Sequence, residues 1–357
     1  MTLATKHLLI DGREFVTDRR TGIGRFLEGL LLAVTEVHRQ WCVRVLLSPD
    51  CTLPNSLKER VEVISVKDSG DALFGRECSR LSAGADLFLS PYPKLPLAKL
   101  HCPMIHTVHD VLYLTHEVYR GSWLKCWLSK QRLRMALNQT DLTWFDSRQT
   151  ERECEELFGK TQHAKIRYPA IESAFVEDGD GRSNKRDYFL YVGNGLPHKN
   201  LDVVLHALEG MEGTLKCVGV KPEFTDALLA KYPGVQDKVE FLQGIDDAAL
   251  LTLYRSALAL LMPSTAEGYG YPPLEALACG TPAVVADIPV LKETTGGFAM
   301  YCLPDDVDGW QAAMSQIQKG IHEDTQAEPL AIWIGERQGV TGWQPHIRDM
   351  EAVMESN

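Results

Sequence analysis

The chain is short of positive charge. Lys and Arg number 37 against 48 Asp and Glu, a formal net charge of −11 over 357 residues. A field of that sign repels polyanions, so no nucleic-acid partner is expected. Any anion that binds must be held by local dipoles and a few cations. Long apolar runs are missing too. None reaches the length of a spanning helix, and the first residues hold no long apolar core of the signal-peptide kind. Nine cysteines are scattered with no Cys-x-x-Cys pair among them. An odd, dispersed set reads as reduced thiols, which sets the expectation of a cytoplasmic protein. No internal repeat or low-complexity tract is present, and the length suffices for two well-cored domains.

What is present is a rhythm of short apolar, β-type runs, each followed by a helix-compatible stretch or a loop. In the first half these are Leu8–Ile10, Val43–Leu47, Val61–Ile64, Asp86–Leu89, Met104–Val108 and Leu142–Phe145. In the second half they are Tyr188–Val192, Leu215–Val218, Val239–Leu242, Ala257–Met262 and Ala283–Ala286. Such alternation predicts α/β architecture with parallel sheets built from βαβ units. The polar, Gly-containing stretch Glu177–Asp187 has no apolar period and reads as a linker. The organisation expected is a first doubly wound domain at 1–175, a linker at 176–187 and a second domain at 188–340, with a cleft between the domains. A helix at 341–357 would pack back on the first domain.

The most informative stretch runs from Ser264 to Gly280. An apolar run precedes it, so the pattern is strand, tight loop, helix start. Pro272 and Pro273 suit a first helical turn, where a missing N–H costs little, and Gly280 suits the far end. Glu275 is then expected in the first turn and Glu267 in the loop, both facing the crevice at the carboxyl end of a strand. Gly268 and Gly270 would let backbone N–H groups approach an anion at the helix N-terminus. A second such turn follows the linker: Gly193-Asn194-Gly195-Leu196-Pro197-His198-Lys199-Asn200, then a helical pattern from Leu201. Lys199 there could pair with a phosphate, ammonium and helix dipole acting together; the alternative is a solvated loop lysine beside a structural turn.

Together these residues resemble the donor-binding domain of a retaining GT-B glycosyltransferase of the large family 4 type. The resemblance runs through Gly193-Asn194 and Pro197–Asn200, Val239–Gly244 and Ala248–Leu253. It continues through Pro263-Ser264, Glu267–Gly270, Pro273–Ala276 and Gly280–Pro282 to Glu293. The two glutamates with seven residues between them are its signature. The resemblance implies a GT-B fold, two Rossmann-like doubly wound domains facing across a cleft. It implies that Glu275 accepts hydrogen bonds from the donor's ribose and that Glu267 contacts the transferred sugar. The loop Gly268-Tyr269-Gly270-Tyr271 would hold the diphosphate, chiefly through the amides of Gly270 and Tyr271, and Lys199 would neutralise it. Many relatives have an arginine directly after the glycine that corresponds to Gly193; here Asn194 stands there. No metal or other cofactor is implied, since the nucleotide-diphosphate sugar is itself the donor substrate.

The first half offers two shorter motifs. Thr21-Gly22-Ile23-Gly24-Arg25-Phe26 opens a helix of apolar spacing. It is not the dinucleotide fingerprint, because Leu27 stands where the third glycine would fall. The family resemblance places a Gly22–Gly24 type loop near the donor phosphates and the acceptor. His106-Thr107-Val108-His109-Asp110 ends a strand-like run, and the resemblance to mannosyl- and rhamnosyl-type transferases puts His109 near the anomeric carbon and donor phosphate. Asp110 would orient it or contact the acceptor. His106 reads as a packed strand residue, and a metal site lacks a convincing third ligand.

Two further segments carry charge patterns of their own. Asp305-Asp306-Val307-Asp308 carries an Asp-x-Asp spacing but reads as a helix-capping loop. Residues 120–134 hold Arg120, Lys125, Lys130, Arg132 and Arg134 with no acid, beside Trp123 and Trp127. That pattern fits either a domain helix with a packed aromatic face or a peripheral contact with the inner face of an anionic membrane; a third reading has the basic residues attract an anionic acceptor.

The resemblance therefore implies transfer of a hexose, mannose-type by the His-Asp and Pro-His-Lys-Asn stretches, from a nucleotide-diphosphate sugar. The acceptor would be a glycan, a lipid-linked molecule or a small molecule, in polysaccharide or glycoconjugate synthesis. Two alternatives stay open: a nucleotide-sugar epimerase of the same architecture, and a non-catalytic nucleotide-sugar-binding subunit.

Overall fold

A computed structural model describes residues 5–17, 21–66, 71–92, 98–116, 123–176, 187–320 and 327–356. The chain divides into two compact units, residues 1–170 with 339–357, and residues 171–338. Most of the stretch read as a linker, 177–186, lies outside the described residues, as does Arg120.

In the first unit the elements run β1 (His7–Asp11), α1 (Gly22–Val37), β2 (Cys42–Leu47), β3 (Glu62–Ser65), α2 (Asp71–Ser82), β4 (Leu87–Ser90) and β5 (Met104–Val108). They continue with α3 (Leu112–Thr115), α4 (Trp123–Gln139), β6 (Leu142–Phe145), α5 (Arg148–Phe158) and β7 (Ala164–Ile166). The sheet has seven strands in the order β3-β2-β1-β4-β5-β6-β7, all parallel. Its central strands are mostly apolar and almost wholly buried because helices cover both faces; Leu8, Leu9 and Ile10 are all fully buried. Helix α1 starts where Thr21 accepts the Gly24 N–H at 2.9 Å. Its apolar stripe, Phe26, Leu27, Leu30, Leu31 and Val34, is buried in the core.

The last helix, Gly339–Glu355, belongs to this unit and packs on α1. Gly29 makes room for it, since a Cβ there would meet Trp343 at 3.0 Å. Asp349 fixes its register. The buried carboxylate takes Trp144 Nε1–H at 3.0 Å, Lys165 Nζ at 2.6 Å, and Arg167 through Nε at 2.6 Å and Nη2 at 2.9 Å. Burial raises the carboxyl pKa, but the hydrogen bonds from Arg167 and Lys165 outweigh it and leave Asp349 below the usual range.

In the second unit the elements are β8 (Tyr188–Val192), α6 (Leu201–Glu209), β9 (Leu215–Val218), α7 (Pro222–Lys231), β10 (Val239–Leu242), α8 (Asp247–Ser256) and β11 (Ala257–Met262). Then come α9 (Tyr271–Ala278), β12 (Ala283–Ala286), α10 (Pro289–Thr295), β13 (Met300–Cys302), α11 (Val307–Gln318) and α12 (Ala327–Gly335). Six parallel strands lie in the order β10-β9-β8-β11-β12-β13. The winding reverses between β8 and β11, as it does between β1 and β4 in the first unit. Loops leaving the carboxyl ends of such strands diverge and open a crevice. Asp306 accepts the Gly309 N–H at 3.0 Å and caps α11, so the Asp305–Asp308 stretch is a capping loop. One expectation is corrected here. Glu275 is the fifth residue of α9 and stands in its second turn, because the helix already begins at Tyr271.

Candidate functional site

In the second unit the loops after β8 and β11 lie side by side at the reversal point. Asn194 Oδ1 accepts the Leu196 N–H at 3.1 Å, which folds the chain back after β8. Pro197–Lys199 forms a single 3₁₀ turn, and Asn200 then adopts the left-handed conformation with φ 51°. Its side-chain amide donates to the Pro263 carbonyl at 3.1 Å and the Pro304 carbonyl at 2.7 Å. One asparagine thus ties together the loops that follow β8, β11 and β13. The Thr265 N–H adds a bond to the His198 carbonyl at 2.8 Å.

This framework brings Lys199 and Glu267 together. Lys199 Nζ stands 2.5 Å from Glu267 Oε1, with the lysine side chain 19% and the glutamate side chain 9% exposed. The ammonium has three donors and a flexible stem, so it can turn from the carboxylate toward an arriving anion.

The start of α9 lies on the same loop. Gly270 is its N-cap at φ 89°, a conformation that glycine adopts without strain, and a Cβ there would meet Leu291 Cδ2 at 2.7 Å. A helix start presents its first backbone N–H groups outward. Pro272 and Pro273 have none, which leaves the amides of Gly270 and Tyr271 as the donors of that end. Gly268 and Tyr269 lie just before it, and Tyr269 packs edge-on against Tyr271 with ring centroids 5.2 Å apart.

Glu275 is held differently. It is 2% exposed, and its Oε2 accepts the Tyr254 hydroxyl at 2.6 Å. Tyr254 comes from α8 and is itself anchored, its carbonyl taking the Thr281 hydroxyl at 2.7 Å. Nothing in the sequence around Tyr254 marks it as a partner of Glu275; only the packing of α8 beside α9 joins them.

In the first unit, loops from three adjacent strands converge on His109. Its Nδ1 lies 2.6 Å from Asp146 Oδ2 and its Nε2 lies 2.7 Å from the Pro91 carbonyl. The His109 carbonyl accepts the Thr150 hydroxyl at 3.2 Å, and the Phe26 ring meets the imidazole edge-on at 4.9 Å. The expected orienting role of Asp110 is corrected. Asp110 Oδ1 accepts the Leu112 N–H at 3.0 Å and starts α3, while Asp146 is the carboxylate on the ring. The reason is register: Val108 pairs with Phe145, so the residues that follow, His109 and Asp146, leave the sheet opposite one another.

Burial lowers the His109 pKa, but the charge and hydrogen bond of Asp146 and the Pro91 carbonyl overcome it and raise the value above the usual one. His106 and His346 show the opposite outcome. Both are fully buried with no hydrogen-bond partner among the described residues, and burial pushes each down to about 3. His106 is thus a packed strand residue. Of the two glycines in the first turn of α1, Gly24 is the constrained one: a Cβ would lie 3.0 Å from the Glu14 carbonyl, whereas Gly22 faces open space.

The chain has relatives among known proteins in sequence and in fold. Residues 176–323 match the family described as glycosyl transferases group 1. The O-antigen chain mannosyltransferase RfbU of Salmonella typhimurium is 35% identical over 142 residues, covering 39% of this chain and 40% of that protein. The D-inositol 3-phosphate glycosyltransferase of Mycobacterium avium is 31% identical over 166 residues, covering 42% of this chain and 39% of that protein. The chain thus spans about two fifths of the length of these curated relatives. Over the whole chain, the solved structure of Anabaena Alr3699/HepE in complex with UDP and glucose superposes with a TM-score of 0.73. It covers 98% of this chain and 100% of that one at 18% identity, a likeness of fold.

Proposed function

We propose that this chain, a GT-B fold whose second unit carries a glycosyl transferases group 1 domain, is a retaining transferase of family 4 type that moves a hexose from a nucleotide-diphosphate sugar. The observation that carries the reading is the Lys199–Glu267 pair beside the start of α9, at the point where the sheet reverses. A mannose-type donor is favoured, because the Salmonella relative is named a mannosyltransferase. The acceptor class we assign is a growing polysaccharide or lipid-linked glycan, handled at the cytoplasmic face of a membrane.

Transfer requires that charge on the departing diphosphate be stabilised as the anomeric carbon becomes electron-poor. Lys199 and the amides of Gly270 and Tyr271 supply the first need, each preorganised donor contributing on the order of 10²–10³ in rate. Glu267 contacts the transferred sugar, and Glu275, oriented by Tyr254, accepts from the ribose. Gly268 and Tyr269 shape the approach to the diphosphate, and the Gly22–Gly24 helix start offers a further anion-friendly end. The bond from the anomeric carbon to phosphate breaks, the bond to the acceptor oxygen forms on the same face, and the acceptor's proton passes to the leaving phosphate. These groups supply the charge stabilisation without a metal.

Helix α4 favours work at a lipid surface. Trp123 is 79% and Trp127 52% exposed, with Leu124, Leu128 and Met135 exposed beside them. Lys125, Lys130, Arg132 and Arg134 flank this face, and the 17-residue helix holds no acid. No helix of the described residues is long and apolar enough to cross a membrane. A face of this kind lies in an anionic interface. Flotation with phosphatidylglycerol vesicles should carry the protein, and Trp123→Glu/Trp127→Glu should release it; equal flotation of both would refute the contact.

The transferase reading is tested by following the anomeric proton of a panel of nucleotide sugars by NMR, alone and with acceptor extracts. Wild type should hydrolyse or transfer one donor with retention, and Glu267→Ala should lose that turnover. Epimerisation of donor alone would favour the epimerase alternative. Binding without turnover across the acceptor set would favour a non-catalytic subunit.

A further inference from the structure

We infer that Asp146 is a positioning residue that holds His109 as a standing imidazolium, so that the ring meets a ligand as a fixed cation and hydrogen-bond donor and never as a base. The argument is one of donors and acceptors. The two atoms facing the ring nitrogens are a carboxylate oxygen at 2.6 Å and a peptide carbonyl at 2.7 Å, and both accept only. A neutral imidazole has a single N–H. Either tautomer would set a nitrogen lone pair against an oxygen lone pair at hydrogen-bond distance. Only the ring with both nitrogens protonated satisfies both contacts. The shared proton sits on nitrogen, because imidazole is the stronger base by about two to three pKa units.

The dependence runs both ways. The Asp146 side chain is 3% exposed, and its other oxygen, Oδ1, has no hydrogen-bond partner among the described residues. The His109 cation is therefore what compensates this buried carboxylate, and removal of the proton would strand a charge in a dry site. The remaining neighbours do not compete. Phe26 of α1 is uncharged, His346 of the last helix is kept neutral by burial, and Asp110 beside the ring adds a second negative charge. The Nε2–H points at the carbonyl of Pro91, which follows β4 at the carboxyl edge of the sheet. A ligand oxygen replacing that carbonyl would meet a charged donor.

The state of the ring is a matter of the first unit alone; only its use in transfer rests on the proposed function. The test is a pH titration of the full chain with 15N-labelled histidine rings, read by long-range 15N–1H correlation, with His109→Gln identifying the signal. Both His109 nitrogens should carry protons at pH 8, where a free imidazole is about 97% neutral. Asp146→Asn should move the titration down by a unit or more, and Asp146→Glu should restore part of the shift. A wild-type ring that is neutral at pH 7, or an Asp146→Asn protein that titrates like wild type, would overturn the inference. The wild-type titration decides even if the variant fails to fold. In turnover, Asp146→Asn should lower kcat tenfold or more with donor KM within about twofold, and the deficit should widen as pH rises. Intact kcat beside the expected spectra would count against the proposed function and leave the ring assignment standing.

Discussion

Lys199–Glu267 in the second unit and His109–Asp146 in the first are both cation–carboxylate pairs at the carboxyl ends of parallel strands, and the two are built for different work. In the second unit Lys199 meets Glu267 across 68 residues of sequence, with the lysine still 19% exposed. In the first, His109 meets Asp146 across 37 residues, with the carboxylate side chain 3% exposed and the ring clamped on both nitrogens. A lysine on a flexible stem beside solvent is a charge that can change partners. An imidazole between two acceptors cannot turn without breaking a bond. The comparison teaches that an ion pair's role is set less by its distance than by what else holds each partner.

Substitutions should separate the two pairs by size of effect. The largest loss is expected from Lys199→Met, about 10³-fold in kcat/KM for transfer, because it removes the cation set to meet the diphosphate. Glu267→Gln should follow at about 10²-fold, and steady-state kinetics reads both. A loss of folding in either variant would make this pair as structural as the other.

Next comes the loop glycine. Gly270→Ala must adopt φ near 89° and push Leu291 aside. Denaturant unfolding should show about 1–3 kcal/mol of destabilisation together with weaker nucleotide binding. The matched change in the first unit, Gly22→Ala, faces open space and should stay within about 0.5 kcal/mol of wild type.

The smallest effect is in pH. The folded His109 pKa lies above the unfolded value, so the pair's stabilisation is complete below about pH 6.5 and fades as pH rises through the folded value. Melting curves from pH 6 to 9 should fall more for wild type than for Asp146→Asn. Parallel curves would contradict the clamp.

The sequence exposed one pair and hid the other for a physical reason. Lys199 and Glu267 each stand in a turn of recognisable chemistry, between an apolar strand and a helix start. Asp146 has no such mark. It precedes Ser147, which caps α5, so it reads as one more polar residue at a helix entry. Its role follows from β5 lying beside β6 in a register that places it across from His109. Tyr254 is hidden likewise, since its hydroxyl reaches Glu275 only through helix packing.

The strands divide in the same way. Five runs of the second half coincide with β8 to β12, because each strand carries enough apolar residues to form a run, continuous in the buried central strands β11 and β12. β7 and β13 escape notice. Each is three residues at a sheet edge, Ala164-Lys165-Ile166 and Met300-Tyr301-Cys302, too short to form a run. The first-turn placement of Glu275 failed because Pro272 and Pro273 fall at the second and third helical positions, after Tyr271.

The central claim is that the reversal point of the second unit grips a nucleotide-diphosphate sugar through Lys199. Isothermal calorimetry with a panel of such sugars tests it most directly. The account expects one donor to bind the wild-type chain, its nucleoside monophosphate to bind at least tenfold more weakly, and Lys199→Met to erase that difference. Equal affinity for the di- and monophosphate, or donor binding untouched by Lys199→Met, would contradict it.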